Sequence, residues 1–259
     1  MIKIISGYSH VGGSTVALKN LALEFMKRGI PCEFYGPHDW HLQFGPFCKD
    51  INKLKINPSD RIISHFIDLN LPKENKVILS CHEMWWFDFT KTSKYYNKVH
   101  FLTEKQAKFH SSVTDYVLIP NVKEQINIKR TGEAVNVAGI IGNIDERKNP
   151  LGSITKALDD GCRKVLLFGQ VLNPEYFTKN IVPLFTKNVV YMGYEKSKEK
   201  IYSSIDRVYH LSRGEVASLV KDECYSTGTL FFGNENTDNE VSTLTNDEII
   251  SIWRKELEI

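Results

Sequence analysis

The sequence predicts an α/β protein made of two halves, each on a parallel sheet, and three observations carry that prediction. The chain opens with a β-α-β pattern, in which an apolar run, a glycine-rich turn and an amphipathic helix lead to a second apolar run. A polar stretch from Lys123 to Asn136, bearing Gly132 and showing little periodicity, reads as a single interdomain linker. A second series of apolar runs and helical patterns follows it, and 259 residues are enough for two domains of about equal length.

The elements follow in order. Lys3 to Ser6 reads as a strand, and from Ser14 to Arg28 the residues Leu18, Leu21, Ala22 and Phe25 line one helical face. Ser14 is expected to cap this helix and Gly29 to end it. Pro31 to Tyr35 is the second strand, and residues 36 to 47, rich in aromatics and proline, read as a loop. Further strands are expected at Arg61 to Ile67, Lys76 to Cys81, Val99 to Thr103 and Tyr116 to Ile119. Beyond the linker the strands are Val137 to Ile141, Lys164 to Phe168, Val189 to Met192, Arg207 to Leu211 and Leu230 to Phe232. Helices are expected at Pro150 to Ala157 and Ser197 to Ser204.

Composition narrows the function classes. With 42% hydrophobic and 25% charged residues the chain is globular rather than disordered. A net charge of +2 gives no general argument for a polyanion-coating surface. No apolar run approaches the ~20 residues of a membrane span, and the residues after Met1 lack the long apolar core of a signal peptide, so a cytoplasmic location is expected. Cys32, Cys48, Cys81, Cys162 and Cys224 are odd in number and widely spaced, which suggests buried thiols rather than disulfides or zinc ligands. His38, His41, His65, His100 and His110 show no metal-binding spacing.

Two motifs invite chemistry. The turn from Gly7 to Thr15 has the outer spacing of a P-loop, but Gly13 stands where the phosphate-binding lysine belongs, which argues against ATP hydrolysis. It also lacks G-x-G-x-x-G. Gly12 and Gly13 still allow close approach of a ligand to backbone amides at a helix start, and a plain tight turn is the alternative. In the second half Glu215 and Glu223 stand eight positions apart, followed by Gly228-Thr229 and the apolar Leu230-Phe231-Phe232. If a helix begins near Ala217, Glu215 lies at its mouth and Glu223 about two turns along; two solvated surface glutamates are the alternative.

The order of strand, Ser212, E-x7-E and Gly-Thr before another strand resembles the signature of retaining glycosyltransferases of the family-4 type. The segment from Val137 through Gly142, Asn143, Arg147 and Lys148 to Pro150 resembles the element that opens that family's donor domain. Lys164 to Gly169 and Val190 to Gly193 resemble its next two strands with their terminal glycines. In the first half Val77 to His82 resembles the strand carrying an active-site histidine, and Tyr116 to Val122, with Pro120-Asn121, resembles the strand that closes the acceptor domain. The resemblance implies an α/β fold of two Rossmann-like domains facing a cleft (GT-B), with residues 1–125 on the acceptor side and 135–259 binding the donor. It implies hexosyl transfer with retention from a UDP- or GDP-type nucleotide-diphosphate sugar, with that sugar as substrate and no further cofactor.

The residues implied are His82, Lys148 and Glu215 as catalytic groups, and Gly12, Gly13, Asn143, Arg147, Lys148, Gly193, Glu215, Glu223 and Thr229 around the donor. Lys148 and the amides near Gly12 and Gly13 would meet the negative charge on the departing diphosphate. Glu223 would accept hydrogen bonds from the ribose hydroxyls, while Glu215 would orient the sugar and His82 would bond it. No D-x-D occurs, so no metal is expected. Lys148 as a solvated loop lysine, His82 as a strand-end histidine and Asn121 as a turn residue are the plain alternatives. Trp85, Trp86, Phe87 and Phe89 read as packing rather than a sugar platform.

The sequence departs from the family at four points. Asn143 replaces an arginine beside the pyrophosphate, Val216-Ala217-Ser218 replaces Gly-Phe-Gly, Leu230 replaces a proline, and the chain is short. These departures keep open a noncatalytic nucleotide-sugar or glycan-binding protein, and the architecture is shared with nucleotide-sugar epimerases. The acceptor, whether glycan, lipid, protein or modified nucleic acid, is not encoded in any motif found here.

Overall fold

Short runs of β-branched and aromatic residues assemble into two parallel sheets in the computed structural model, which describes residues 1–8, 12–40, 44–67, 74–84, 96–237 and 241–259. The first sheet comprises β1 (Ile2–Ser6), β2 (Cys32–Gly36), β3 (Cys48–Asp50), β4 (Arg61–His65), β5 (Lys76–Ser80), β6 (Lys98–Phe101) and β7 (Tyr116–Leu118). Its order is β3-β2-β1-β4-β5-β6-β7, and every pairing is parallel. All five residues of β1 are buried, as expected of a parallel strand covered on both faces.

Helix α1 (Gly13–Lys27) supplies the predicted face, with Leu18, Leu21, Ala22 and Phe25 packed among Ile4, Phe34 and Ile63. Its cap differs from expectation. Gly12 is the N-cap and its N–H donates to Thr15 Oγ1 (2.9 Å), so Ser14 lies inside the first turn. Gly29 ends the helix as predicted, in the left-handed region at φ +71°. Elements absent from the sequence reading include the three-residue β3 and the short helix α2 (Glu104–Phe109).

The second sheet comprises β8 (Val137–Ile141), β9 (Lys164–Phe168), β10 (Val189–Gly193), β11 (Arg207–His210) and β12 (Leu230–Gly233), in the order β10-β9-β8-β11-β12 and again parallel throughout. Among its helices are α3 (Pro150–Asp159), α4 (Lys198–Ser203) and α5 (Leu219–Thr227). Gly169 shows how tightly the loops beyond β8 and β9 pass: a Cβ there would sit 1.8 Å from the Gly142 carbonyl oxygen.

The chain forms two compact units, 1–123 with 242–259 and 124–241. This departs from the expected second domain of 135–259, because the last helix, α6 (Asn246–Leu257), returns to the first unit. Ile249, Trp253 and Leu257 of α6 are buried there with Leu21 and Phe25. The expected linker is not a free tether either. Ile126 is buried in the core of the second unit, and Arg130 Nε donates to the Ile205 carbonyl (3.0 Å). The chain therefore crosses between units twice, and the two crossings are tied together. Lys123 N–H donates to Asn246 Oδ1 and Asn246 Nδ2 donates to the Lys123 carbonyl, both at 2.8 Å. Among the described residues no helix is long and apolar enough to cross a membrane.

Candidate active site

In an open parallel sheet the loops diverge where strand order reverses, leaving a crevice beyond the carboxyl ends of the two central strands. In the second sheet that point lies between β8 and β11. The loop after β8 and the loop after β11 are stitched together by backbone and side chain. Arg213 N–H donates to the Arg147 carbonyl (2.8 Å), and Arg147 Nη1 donates to the Gly214 carbonyl (3.1 Å). Asn149 sits in the left-handed region at φ +50°, which asparagine tolerates, and caps α3 through Gly152 N–H. Its Nδ2 also donates to the Leu211 carbonyl (3.1 Å).

This stitching brings Lys148, Glu215 and His210 together. Lys148 Nζ donates to Glu215 Oε1, and His210 Nε2 lies 3.0 Å from the same oxygen. The Glu215 side chain is only 12% exposed. Burial opposes its ionisation, but Lys148 and His210 outweigh that and hold the carboxyl well below the usual carboxylate range. A small pocket beside the cluster is lined by Gly142, Asn143, Lys148, Ser153, Tyr209 and His210. Arg147 is exposed, and its guanidinium serves the Gly214 carbonyl, which positions the Glu215 loop.

A second cluster forms around Glu223. Ser218 caps α5, so Glu223 is the fifth residue of the helix and is 8% exposed. Lys198, first residue of α4, bonds Glu223 Oε1 and also reaches Glu124 Oε2 (2.6 Å). Tyr202 donates its hydroxyl to Glu223 Oε2 (2.7 Å). Burial disfavours the Lys198 ammonium, but the two glutamates prevail and raise its pKa above the usual lysine value. The Tyr202 hydroxyl is pushed well above its usual pKa by burial and by Glu223.

The remaining expected residues distribute as follows. Asn143 lines the pocket with Lys148. Gly193 ends β10, where its carbonyl accepts from Gly169 N–H (2.9 Å). Thr229 does not join these groups. It precedes β12 and so lies at the opposite end of the sheet, where its hydroxyl meets Thr227 Oγ1 (2.7 Å) and Arg130. Gly12, Gly13 and His82 belong to the first unit. The Gly12 N–H is taken by Thr15, which removes one of the two amides expected to face a ligand, whereas a Cβ at Gly13 would meet open space. His82 follows β5, with its ring 5.4 Å from His65 and 6.0 Å from His100. Trp85, Trp86, Phe87, Phe89 and His41 lie outside the described residues.

Sequence reasoning missed His210, Lys198 and Tyr202. His210 carried a usable signal, a polar residue ending a strand five positions before Glu215, whereas Lys198 and Tyr202 reach Glu223 only through packing of α4 on α5. Among the described residues no three His, Cys, Asp or Glu are grouped to hold a metal ion.

No protein-family model matches the sequence, and no curated protein matches it. Solved structures do. The chain is similar to Anabaena HepE in complex with UDP-glucose, with a TM-score of 0.66, 13% identity and coverage of 99% of this chain and 89% of that one. It is similar to WaaG, a glycosyltransferase involved in lipopolysaccharide biosynthesis (TM-score 0.63, 12% identity, 100% and 91% covered). It is also similar to AviGT4, a glycosyltransferase involved in avilamycin A biosynthesis (TM-score 0.63, 15% identity, 99% and 88% covered). Likeness at this identity speaks to architecture, and the chain has the GT-B fold, two Rossmann-like α/β units.

Proposed function

We propose that the protein is a glycosyltransferase that moves a hexosyl group from a UDP- or GDP-type nucleotide-diphosphate sugar to an acceptor, with retention of anomeric configuration and without a metal. The observation that carries this reading is the Lys148, Glu215 and His210 cluster beyond β8 and β11, where the strand order reverses. The fold supports it, since HepE, of the same architecture, is seen with UDP-glucose.

In this reading the second unit takes the donor and the first the acceptor. Lys148 meets the diphosphate as negative charge builds on it, and Glu215, ionised throughout the neutral range, accepts from sugar hydroxyls and orients the anomeric carbon. The bond from the anomeric carbon to the diphosphate oxygen breaks as the bond to the acceptor oxygen forms on the same face. The acceptor's proton passes to the leaving phosphate, so no strong protein base is required. Asn143 and Gly193 contribute backbone and side-chain contacts to the donor, and Glu223 receives the ribose once Lys198 and Tyr202 yield.

Asn143 favours a second reading. It lines the pocket beside Lys148 where an arginine would complete the cationic clamp on the departing diphosphate, so a protein that binds nucleotide sugars without transfer is the alternative. A panel of nucleotide sugars and simple acceptors, followed by NMR of the anomeric protons and by nucleoside diphosphate release, separates the two. Transfer with an unchanged anomer in the presence of a chelator supports the first, and binding with no release supports the second. Lys148→Ala is expected to lower kcat on the order of 10²-fold to 10³-fold, the cost of losing one preorganised stabiliser of developing charge.

A further inference from the structure

The first unit contains a second set of mutually bonded polar side chains, at the carboxyl ends of β1, β4, β5 and β6. Two of its pairs are register partners in the sheet, Ser6 with His65 and Ser80 with His100. The set closes on His82 from two sides. On one side His82 Nε2 lies 3.0 Å from Ser80 Oγ, Ser80 Oγ lies 2.9 Å from His100 Nδ1, and His100 Nε2 lies 2.7 Å from the Ile119 carbonyl oxygen. On the other, His82 N–H donates to Glu83 Oε2 (3.1 Å) and Glu83 Oε1 lies 3.3 Å from His65 Nε2. His65 Nδ1 lies 2.8 Å from Ser6 Oγ.

Proton counting orders this set. A carbonyl oxygen only accepts, so His100 Nε2 carries a proton. Burial pulls the His100 pKa down to about 4, so the ring is neutral at neutral pH and its Nδ1 accepts. Ser80 has one hydroxyl proton and spends it on that nitrogen, so Ser80 Oγ must accept from His82 Nε2–H. Burial, together with the neighbouring His65 and His100, also holds the His82 pKa well below its usual value, so a neutral His82 is left with an unprotonated Nδ1. The other side fixes the backbone. Ser6 Oγ accepts from Tyr8 N–H (3.3 Å) and lies 2.8 Å from His65 Nδ1, and His65 Nε2 faces the carboxylate that holds His82 N–H.

We propose that Ser80 and His100 are positioning residues that lock His82 in the Nε2–H tautomer, making its Nδ1 an acceptor that takes a ligand hydroxyl and disfavours a phosphate or carboxylate oxygen. The tautomer stands on the first unit alone, and only the ligand half rests on the glycosyltransferase reading. In that reading the ligand hydroxyl that His82 meets belongs to the acceptor, which the first unit takes.

The test is a long-range proton–nitrogen NMR spectrum of the full chain labelled with ¹⁵N, the His82 resonances being assigned by their loss in His82→Asn. The expected result at neutral pH is a pyrrole-type nitrogen at Nε2 and a pyridine-type nitrogen at Nδ1. Ser80→Ala is expected to give a mixture of tautomers, and Ser80→Thr, which keeps the hydroxyl, to restore the single form. A native spectrum with the proton on Nδ1, or a doubly protonated ring, overturns the proposal whether or not the variants fold. So does an unchanged tautomer in Ser80→Ala. The locked tautomer in a chain that transfers no sugar would sustain the positioning role of Ser80 and His100 and count against the ligand half and the glycosyltransferase reading, whereas transfer with the reversed tautomer would overturn the positioning role and leave that reading standing.

Discussion

At the scale of single residues the candidate site is a balance of burial against charge. Glu215 is ionised because Lys148 and His210 face it, so removing Lys148 strands a largely buried carboxylate. Lys148→Ala is expected to cost about 3 kcal/mol of stability at pH 7, read by urea unfolding. The sign with pH follows from the lowered carboxyl pKa. The pair's contribution is present above the unfolded-state value and fades as pH falls towards the folded one. The difference between native and variant protein should therefore shrink in acid. His100 makes a separate contribution. Its pKa falls from 6.5 to about 4 on folding, so its share is complete above 6.5 and declines as pH drops through that window. At 1.36 kcal/mol per unit the loss is about 3 kcal/mol, and His100→Gln should flatten the unfolding midpoint against pH over this range.

At the scale of elements the strands were legible and the helix ends less so. Apolar runs such as Lys164–Phe168 announce buried parallel strands because both faces are covered, and the structure has them where they were expected. β3 was not legible, since Cys48-Lys49-Asp50 is too short to show a period and exists only because β2 offers it an edge. Helix α6 was legible and went unread. Thr245 and Glu248 form a capping box, and Ile249, Ile250, Trp253 and Leu257 recur on one face. Thr245→Ala should cost about 1 kcal/mol, measured by thermal unfolding. Gly169→Ala is a harsher change. Its methyl would collide with the Gly142 carbonyl beyond β8, and the expected loss is about 1–3 kcal/mol, read by thermal unfolding. The Ser80 and His100 pairing lay beyond sequence reasoning because it depends on the register of β5 against β6, which neither strand specifies by itself.

At the scale of the whole molecule the resemblance implied the architecture that the structure has, but a linear reading misassigned the end of the chain. The contrast is physical. E-x7-E with its flanking strands is a local pattern, whereas the docking of α6 joins residues nearly two hundred positions apart, as in the bond from Arg61 Nε to the Leu257 carbonyl (2.8 Å). Trp253 is 1% exposed in the core it shares with Phe25, so Trp253→Ala should destabilise the first unit by about 3–5 kcal/mol. Hydrogen exchange resolved by segment should show faster exchange in β1 and β5 and no change in β8 and β9.

The paired bonds between Lys123 and Asn246 carry a consequence for engineering. They show that the second unit is a continuous insert whose two ends enter and leave side by side. Such an insert can be excised. Residues 124–241 expressed alone should retain their own exchange-protected core and the Lys148 to Glu215 contact, while a short glycine bridge from 123 to 242 should leave a self-sufficient remainder.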